Sequence, residues 1–348
     1  MSVTNNLTRF SAINFPSINH KGFDQQVICV ACRYKMPSPE NQESLPEICK
    51  EQPEPHTEDV YTEEPGQSSL LYEGQTTCER PGTDIYLTGH AKTPKEQKVR
   101  HLMLSLKVGE YKKQAIAFGD RYWKSGVLGL KPSKPKPFET MPVVYEKSFG
   151  GEVPVKEGGN PEYIPENPVG CGFYKKKSQA KNQPLPNIES IKNRIATIKD
   201  KPKPTGFGPI ARQWKPRVDY AGTYDQDWVE NKAPFWPDDF DPRFFHAAAP
   251  GLATKNHLKG GEQVNISGFS HKGNFSFKLP ELNFLAKFRF IDSTERKLMV
   301  LDAIHFEPDK YEMTLIFRTS VLTFNRIPDL ISTTIRELES WEVNQFEP

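Results

Sequence analysis

RHLMLSLKVGEYKKQAIAFGDRYW, residues 100–123, decides the fold class. Leu102, Leu104 and Leu106 recur at every second position, the period that places strand side chains on one face. Val108-Gly109-Glu110 interrupts the pattern as a turn, and Ile116 and Phe118 continue it on the other side. This predicts a β-hairpin.

The same reading extends outward along the chain. QQVICVACRYKM (25–36) is β-branched and aromatic, and TDIYLTGHA (83–91) puts Ile85 and Leu87 on one face. Downstream, EQVNISGFS, GNFSFKLPEL, FLAKFRFI, RKLMVLDAIHFEPD and YEMTLIFRTSVL follow one another between short turns, as in an antiparallel meander. Glu307-Pro308-Asp309-Lys310 is the expected loop of its last hairpin. From about 131 to 250, proline and glycine break nearly every run, which predicts irregular chain pinned by particular side chains. Only PDLISTTIRELESWE (328–342) reads as a helix, capped by Asp329, with Leu330, Thr334, Leu338 and Trp341 at helical spacing. The expected architecture is mainly β: antiparallel sheets, sandwich or barrel-like, around a long Pro/Gly-rich irregular centre, with a C-terminal α-helix. One large domain is expected over residues 1–323, strand-rich at 18–123 and 260–323 and loop-rich at 131–250, followed by a helical tail at 324–348.

At 348 residues the chain can bury a core without staples. Its five cysteines are odd in number and irregularly spaced, which fits a reducing compartment. MSVTNNLTRFSAINF lacks the basic start and apolar run of a secretory signal, and no apolar run approaches the roughly 20 residues of a membrane-spanning helix. A cytoplasmic protein with no membrane partner is expected. A net charge of +2 argues against a dedicated nucleic-acid binder. Charge is instead local. Residues 37–69 carry nine acids against one lysine, and residues 175–203 carry nine Lys or Arg against two acids. Such runs usually just solvate a face, but they can also meet each other or steer a partner, with Lys175, Lys176 and Lys177 the densest group.

Cys29-Val-Ala-Cys32, with Cys49 and Cys78, has the residue types of a zinc site. However, the pair lies in an apolar strand, where positions three apart face opposite sides, so buried inert thiols are expected. No metal or other cofactor is expected. The crowded stretch GFGPIARQWKPRVDYAGTYDQDWVENKAPFWPDDFD (206–241) poses the main functional question. Asp225, Asp239 and Asp241 beside tryptophans resemble the carboxylates and stacking rings of a carbohydrate-active hydrolase. Asp residues at loop corners more often cap backbone amides. A long irregular segment needs side-chain hydrogen bonds and large rings to seal it, so the stretch also reads as a structural clasp. Arg217, between Trp214 and Tyr220, is placed to stack on a ring and fork to a carboxylate. Trp228 is expected to support the fold.

PFETMPVVYEKSFGG (137–151), NPVGCGF (167–173), LPNIES (185–190), PTGFGPIARQW (204–214), AGTYDQDWVENKAPFWPDDFDPRFF (221–245) and GGEQVNISG (260–268) occur in an order that resembles the effector-loading adaptor family of the bacterial type VI secretion system. That resemblance implies a non-enzymatic cytoplasmic chaperone. It would connect a toxic effector to the spike protein VgrG, possibly near a PAAR tip, without a cofactor. Trp214, Arg217, Thr223, Tyr224, Asp225, Trp228, Trp236, Asp239 and Phe240 belong to the matching signature, with no role assigned, as candidates for partner binding or for defining the fold.

Overall fold

A computed structural model describes residues 3–41, 44–126, 129–153, 160–324, 326–343 and 345–346. Residues 42 and 43 of the acidic segment lie outside them. Three sheets dominate. The largest runs in the order Ser11–Ile18, Asp24–Lys35, Glu312–Leu322, Val300–Glu307, Asp84–Leu87, with Glu47–Ile48 added beside Asp24–Lys35. It is antiparallel except where Asp84–Leu87 lies parallel to Val300–Glu307. The second sheet is antiparallel throughout, in the order Ile188–Glu189, Tyr111–Phe118, His101–Val108, Gln263–Ser267, Phe275–Lys278. The third contains Val3–Asn6, Leu330–Glu337, Phe284–Phe290 and Thr294–Leu298. The chain is therefore mainly β, with antiparallel and mixed sheets, and among the described residues no sheet closes into a barrel.

The 100–123 hairpin forms as its alternation predicts. Leu104 and Leu106 are fully buried, and Ala115 faces Leu104 across the ladder. The downstream run also forms hairpins, but they do not make one meander. Gln263–Ser267 with Phe275–Lys278, Phe284–Phe290 with Thr294–Leu298, and Val300–Glu307 with Glu312–Leu322 go to three different sheets. A hairpin is specified by its own turn, whereas its sheet depends on which distant edge it meets. A single apolar core joins all three sheets through residues such as Ile28, Val30, Leu106, Ile266, Phe284, Phe288 and Phe317.

The expected C-terminal helix over 328–342 is corrected. Residues Leu330–Glu337 form a strand between Val3–Asn6 and Phe284–Phe290, flanked by a short 3₁₀ turn at Ile327–Asp329 and a single α-helical turn at Ser340–Val343. The run Ile331-Ser-Thr-Thr-Ile335 is β-branched at four of five positions, which disfavours helix and suits a paired strand. Burial follows the strand: Thr333 and Ile335 are fully buried, while Trp341 of the supposed helical stripe is 70% exposed.

Among its described residues the loop-rich middle contains two- to four-residue strands, short helical turns and the six-residue helix Gln226–Asn231. It carries small cores of its own, one around Trp123, Phe149, Phe173 and Leu185 and another around Tyr145, Ile210 and Trp214. Side chains replace ladders here. Asn167 donates to the carbonyls of Tyr145 at 2.8 Å and Phe149 at 3.0 Å, and the Glu189 carboxylate takes Arg121 and the Ile195 amide.

Candidate functional site

The 206–241 stretch divides at Arg217. Residues 206–217 run inward. Phe207 and Ala211 are fully buried, and Trp214 packs edge-on against Tyr145 with centroids 5.6 Å apart. Gly206 is required at its position, because a Cβ would lie 2.6 Å from the Tyr145 ring. Arg217 then enters a charge network with almost no solvent exposure. Its guanidinium donates to Glu73, to the Ile210 carbonyl at 2.8 Å and to the Phe244 carbonyl at 2.8 Å, and sits over the Phe244 ring. Arg80 bridges Glu73 and Asp302, lies 3.1 Å from Asp84, and donates to the Phe245 carbonyl. Arg318 donates to Asp302 at 2.9 Å and to the carbonyls of Gln75 and Thr77. Asp84 receives Tyr86 at 2.6 Å, His246 at 2.7 Å and the amides of Ala247 and Ala248.

Three arginines thus face three carboxylates, and the donors left over are satisfied by backbone carbonyls. That is the condition under which buried charge is tolerated. Burial alone would raise the Glu73 carboxyl, but Arg217 and Arg80 outweigh it and hold it at about 2. Burial likewise opposes ionisation of Asp302, and Arg80 and Arg318 overcome it, again to about 2. The network ties segments 73–86, 210–217 and 244–248 to the two central strands of the largest sheet. The expected fork of Arg217 to a carboxylate is present, with Glu73 rather than a neighbouring Asp as its partner. Glu73, Arg80, Asp84, Asp302 and Arg318 were not singled out from the sequence. For Asp302 and Arg318 the signal is a charge inside an apolar strand run, VLDAIHF and LIFRTSV; Glu73 and Arg80 lie in polar chain and carry none.

Residues 218–241 run outward instead. Asp225 caps the helix Gln226–Asn231 by accepting the Trp228 amide at 3.0 Å. Asp239 accepts the Thr223 amide at 2.9 Å and its hydroxyl at 2.7 Å, across a turn where Gly222 has φ +84°. Asp241 caps the turn Pro242–Phe245 through the Arg243 amide and also pairs with the Arg243 side chain. Asp225 and Asp241 thus cap the starts of short helices and Asp239 a turn, as corner aspartates commonly do.

Trp228 is half-buried. Its indole donates to the Phe235 carbonyl at 2.9 Å, and Tyr224, 49% exposed, leans edge-on against it at 4.7 Å. The expectation that Trp228 supports the fold thus narrows to its own projection. Trp236 is half-buried against Phe240, Phe244 and Phe245, a cluster that anchors the base of the projection.

The family model described as an uncharacterized protein conserved in bacteria (DUF2169) matches residues 21–318. The chain belongs to that family. The match takes in both the buried clasp and the projection. No curated protein and no solved structure matches the chain.

Cys29 and Cys32 are both buried in the strand Asp24–Lys35; burial pushes the Cys29 thiol up to about 11 and Cys32 well above the ordinary thiol range. Cys29 lies near Arg318 and Cys32 toward Glu337, on opposite sides of the strand. Lys175 pairs with Glu162, and Lys201 sits over the Phe173 ring. In the acidic segment, Glu40 pairs with Lys272 and Asp59 lies 3.9 Å from Arg212. Those pairings run to other parts of the molecule, not between the two charged segments. Among the described residues no helix is long and apolar enough to cross a membrane.

Proposed function

We propose that this protein is a cytoplasmic adaptor that binds a toxic effector and promotes its loading onto the VgrG spike, with or without a PAAR tip, of a bacterial type VI secretion system. The observation that carries the reading is the projection of residues 218–241. It presents Tyr224, Val229 and Phe235 to solvent on a base locked by buried ion pairs. Large rings held rigidly at the surface suit binding, because little side-chain entropy remains to be lost on association. The ordered motif series quoted above supplies the biological context. An adaptor of this kind needs no catalytic group or cofactor, and the use of Asp225, Asp239 and Asp241 as caps of backbone amides favours it over the alternative of a carbohydrate-active hydrolase.

A stable complex would bury about 1,200–2,000 Å². The test is co-purification of the full chain with the neighbouring effector and with VgrG, joined to a toxin-delivery assay in a deletion strain. A ternary complex and loss of delivery are expected. Failure to bind either protein, with unchanged delivery, would overturn the proposal.

A further inference from the structure

We infer that the 218–241 projection and the adjoining turn at 19–23 form a docking face for a basic segment of a partner protein, one that alternates Arg or Lys with apolar side chains. The face is apolar first. Tyr224 is 49%, Val229 55% and Phe235 45% exposed, and Phe235 lies beside Gly22. Phe23 follows directly and is edge-on to Phe324 at 5.6 Å, the two being 45% and 58% exposed. Between the turn and the projection lies a groove of about 540 Å³ walled by the rings of His20, Phe235, Trp236 and Phe240, with Lys21, Lys232 and Asp238 also lining it. Monomer surfaces rarely leave such large side chains together without a partner.

Charge selects the occupant. The face made by 218–241 and 19–23 contains seven acids, Asp219, Asp225, Asp227, Glu230, Asp238, Asp239 and Asp241, against Lys21 and Lys232; Lys232 pairs with Asp238 at 2.5 Å, and Asp219 and Asp241 pair with Lys215 and Arg243 just outside the face. Six of the seven are exposed and Asp241 is half-buried. Among the described residues Asp227 and Glu230 receive neutral amides, from Asn231 and Gln226, each at 2.8 Å. A carboxylate accepts several hydrogen bonds, so these groups retain capacity for a cation. A guanidinium satisfies both features at once, forking to a carboxylate while stacking on Tyr224 or Trp228. Apolar residues between the cations fit the groove. A second copy of this chain would set the same acids against each other, so self-association is disfavoured. The inference deepens the adaptor reading and rests on it only for which protein carries the basic segment.

The test uses the full chain and two synthetic helical peptides with the same Leu/Trp face, one bearing Arg and Lys opposite it and the other bearing Glu. Binding is measured by fluorescence anisotropy at low and high salt. The basic peptide is expected to bind, weakening as salt rises. The double variant Asp227→Lys, Glu230→Lys should weaken it about tenfold or more while keeping the wild-type melting curve, and Tyr224→Ala should do the same. A Lys175→Glu control should bind as wild type. Equal binding of both peptides, no binding of the basic one, an unaffected double variant, or a dimer held through this face would each overturn the inference. Binding of the basic peptide at this face by a protein that fails to capture effector or VgrG would leave the docking face standing and remove the adaptor reading.

Discussion

Residues 206–217 and 218–241 are continuous and similarly rich in rings, prolines and charge, yet they have opposite fates. In the first, Arg217 sits 2% exposed among carboxylates and carbonyls, and Trp214 is sealed against Tyr145. In the second, Tyr224, Trp228 and Phe235 form an outer ledge whose aspartates cap the backbone that carries them. Residue type therefore does not distinguish clasp from contact surface. What does is whether a charge meets an opposite charge drawn from elsewhere in the chain: Arg217 reaches Glu73, 144 positions away, whereas the nearest partners of Asp225, Asp227 and Asp239 are local.

The sharpest way to break this contrast is Arg217→Met. Removing one partner of this buried network leaves Glu73 with the Tyr86 hydroxyl and an Arg80 that it shares with Asp302 and Asp84, and strands the Ile210 and Phe244 carbonyls, which should cost about 3–5 kcal/mol, read from urea unfolding midpoints. A loss below about 1 kcal/mol would mean that the clasp does not hold the fold. Trp214→Ala should cost a similar or slightly smaller amount, about 3–5 kcal/mol, because it opens a cavity against Tyr145.

Acid titration sharpens the same contrast. Glu73 and Asp302 have folded-state values near 2, below their ordinary 4.5 and 3.8. Their stabilisation is therefore complete above about pH 4.5 and is lost as pH falls toward 2. Unfolding midpoints should be flat with respect to these groups from pH 7 to 5 and drop below that. The gap between wild type and Arg217→Met should narrow over the same window, since protonated Glu73 no longer needs its partner. A constant gap would show that Arg217 acts through packing alone.

On the projection the expected effects shrink. Trp228→Ala should change global stability by about 1 kcal/mol or less, because the ring stabilises a half-exposed loop rather than a core. Its main consequence should be lost partner binding, and an unfolded Trp228→Ala protein would return this residue to the clasp. Smallest of all, replacing Lys175, Lys176 and Lys177 by Glu should alter stability by no more than about 0.5 kcal/mol, checked by thermal melting.

Much of the fold was legible. Every hairpin with a clear two-residue period is present, because alternation and turn chemistry act over neighbouring residues. The capping by Asp241, which precedes Pro242, was legible for the same reason, whereas the helix Gln226–Asn231 that Asp225 caps was not. Three further features were not. The strand Leu330–Glu337 imitates helical spacing, and its backbone is satisfied only by Phe284–Phe290 and Val3–Asn6, far away in the chain. The downstream hairpins separate among three sheets because their outer partners, such as His101–Val108 for Gln263–Ser267, are also distant. The carboxylates of the clasp could not be matched to their arginines, since Asp302 has Arg80 and Arg318 as partners from opposite parts of the sequence.

The sequence by itself determined the β character, the positions of the hairpins, the irregularity of the centre and the need for side chains to hold it. Tertiary structure decided which hairpin joined which sheet and which half of the 206–241 stretch was buried. The reason is physical. Alternation, turns and caps are short-range and additive along the chain. Strand pairing and the balance between desolvation and charge attraction depend on groups brought together only when the whole core closes.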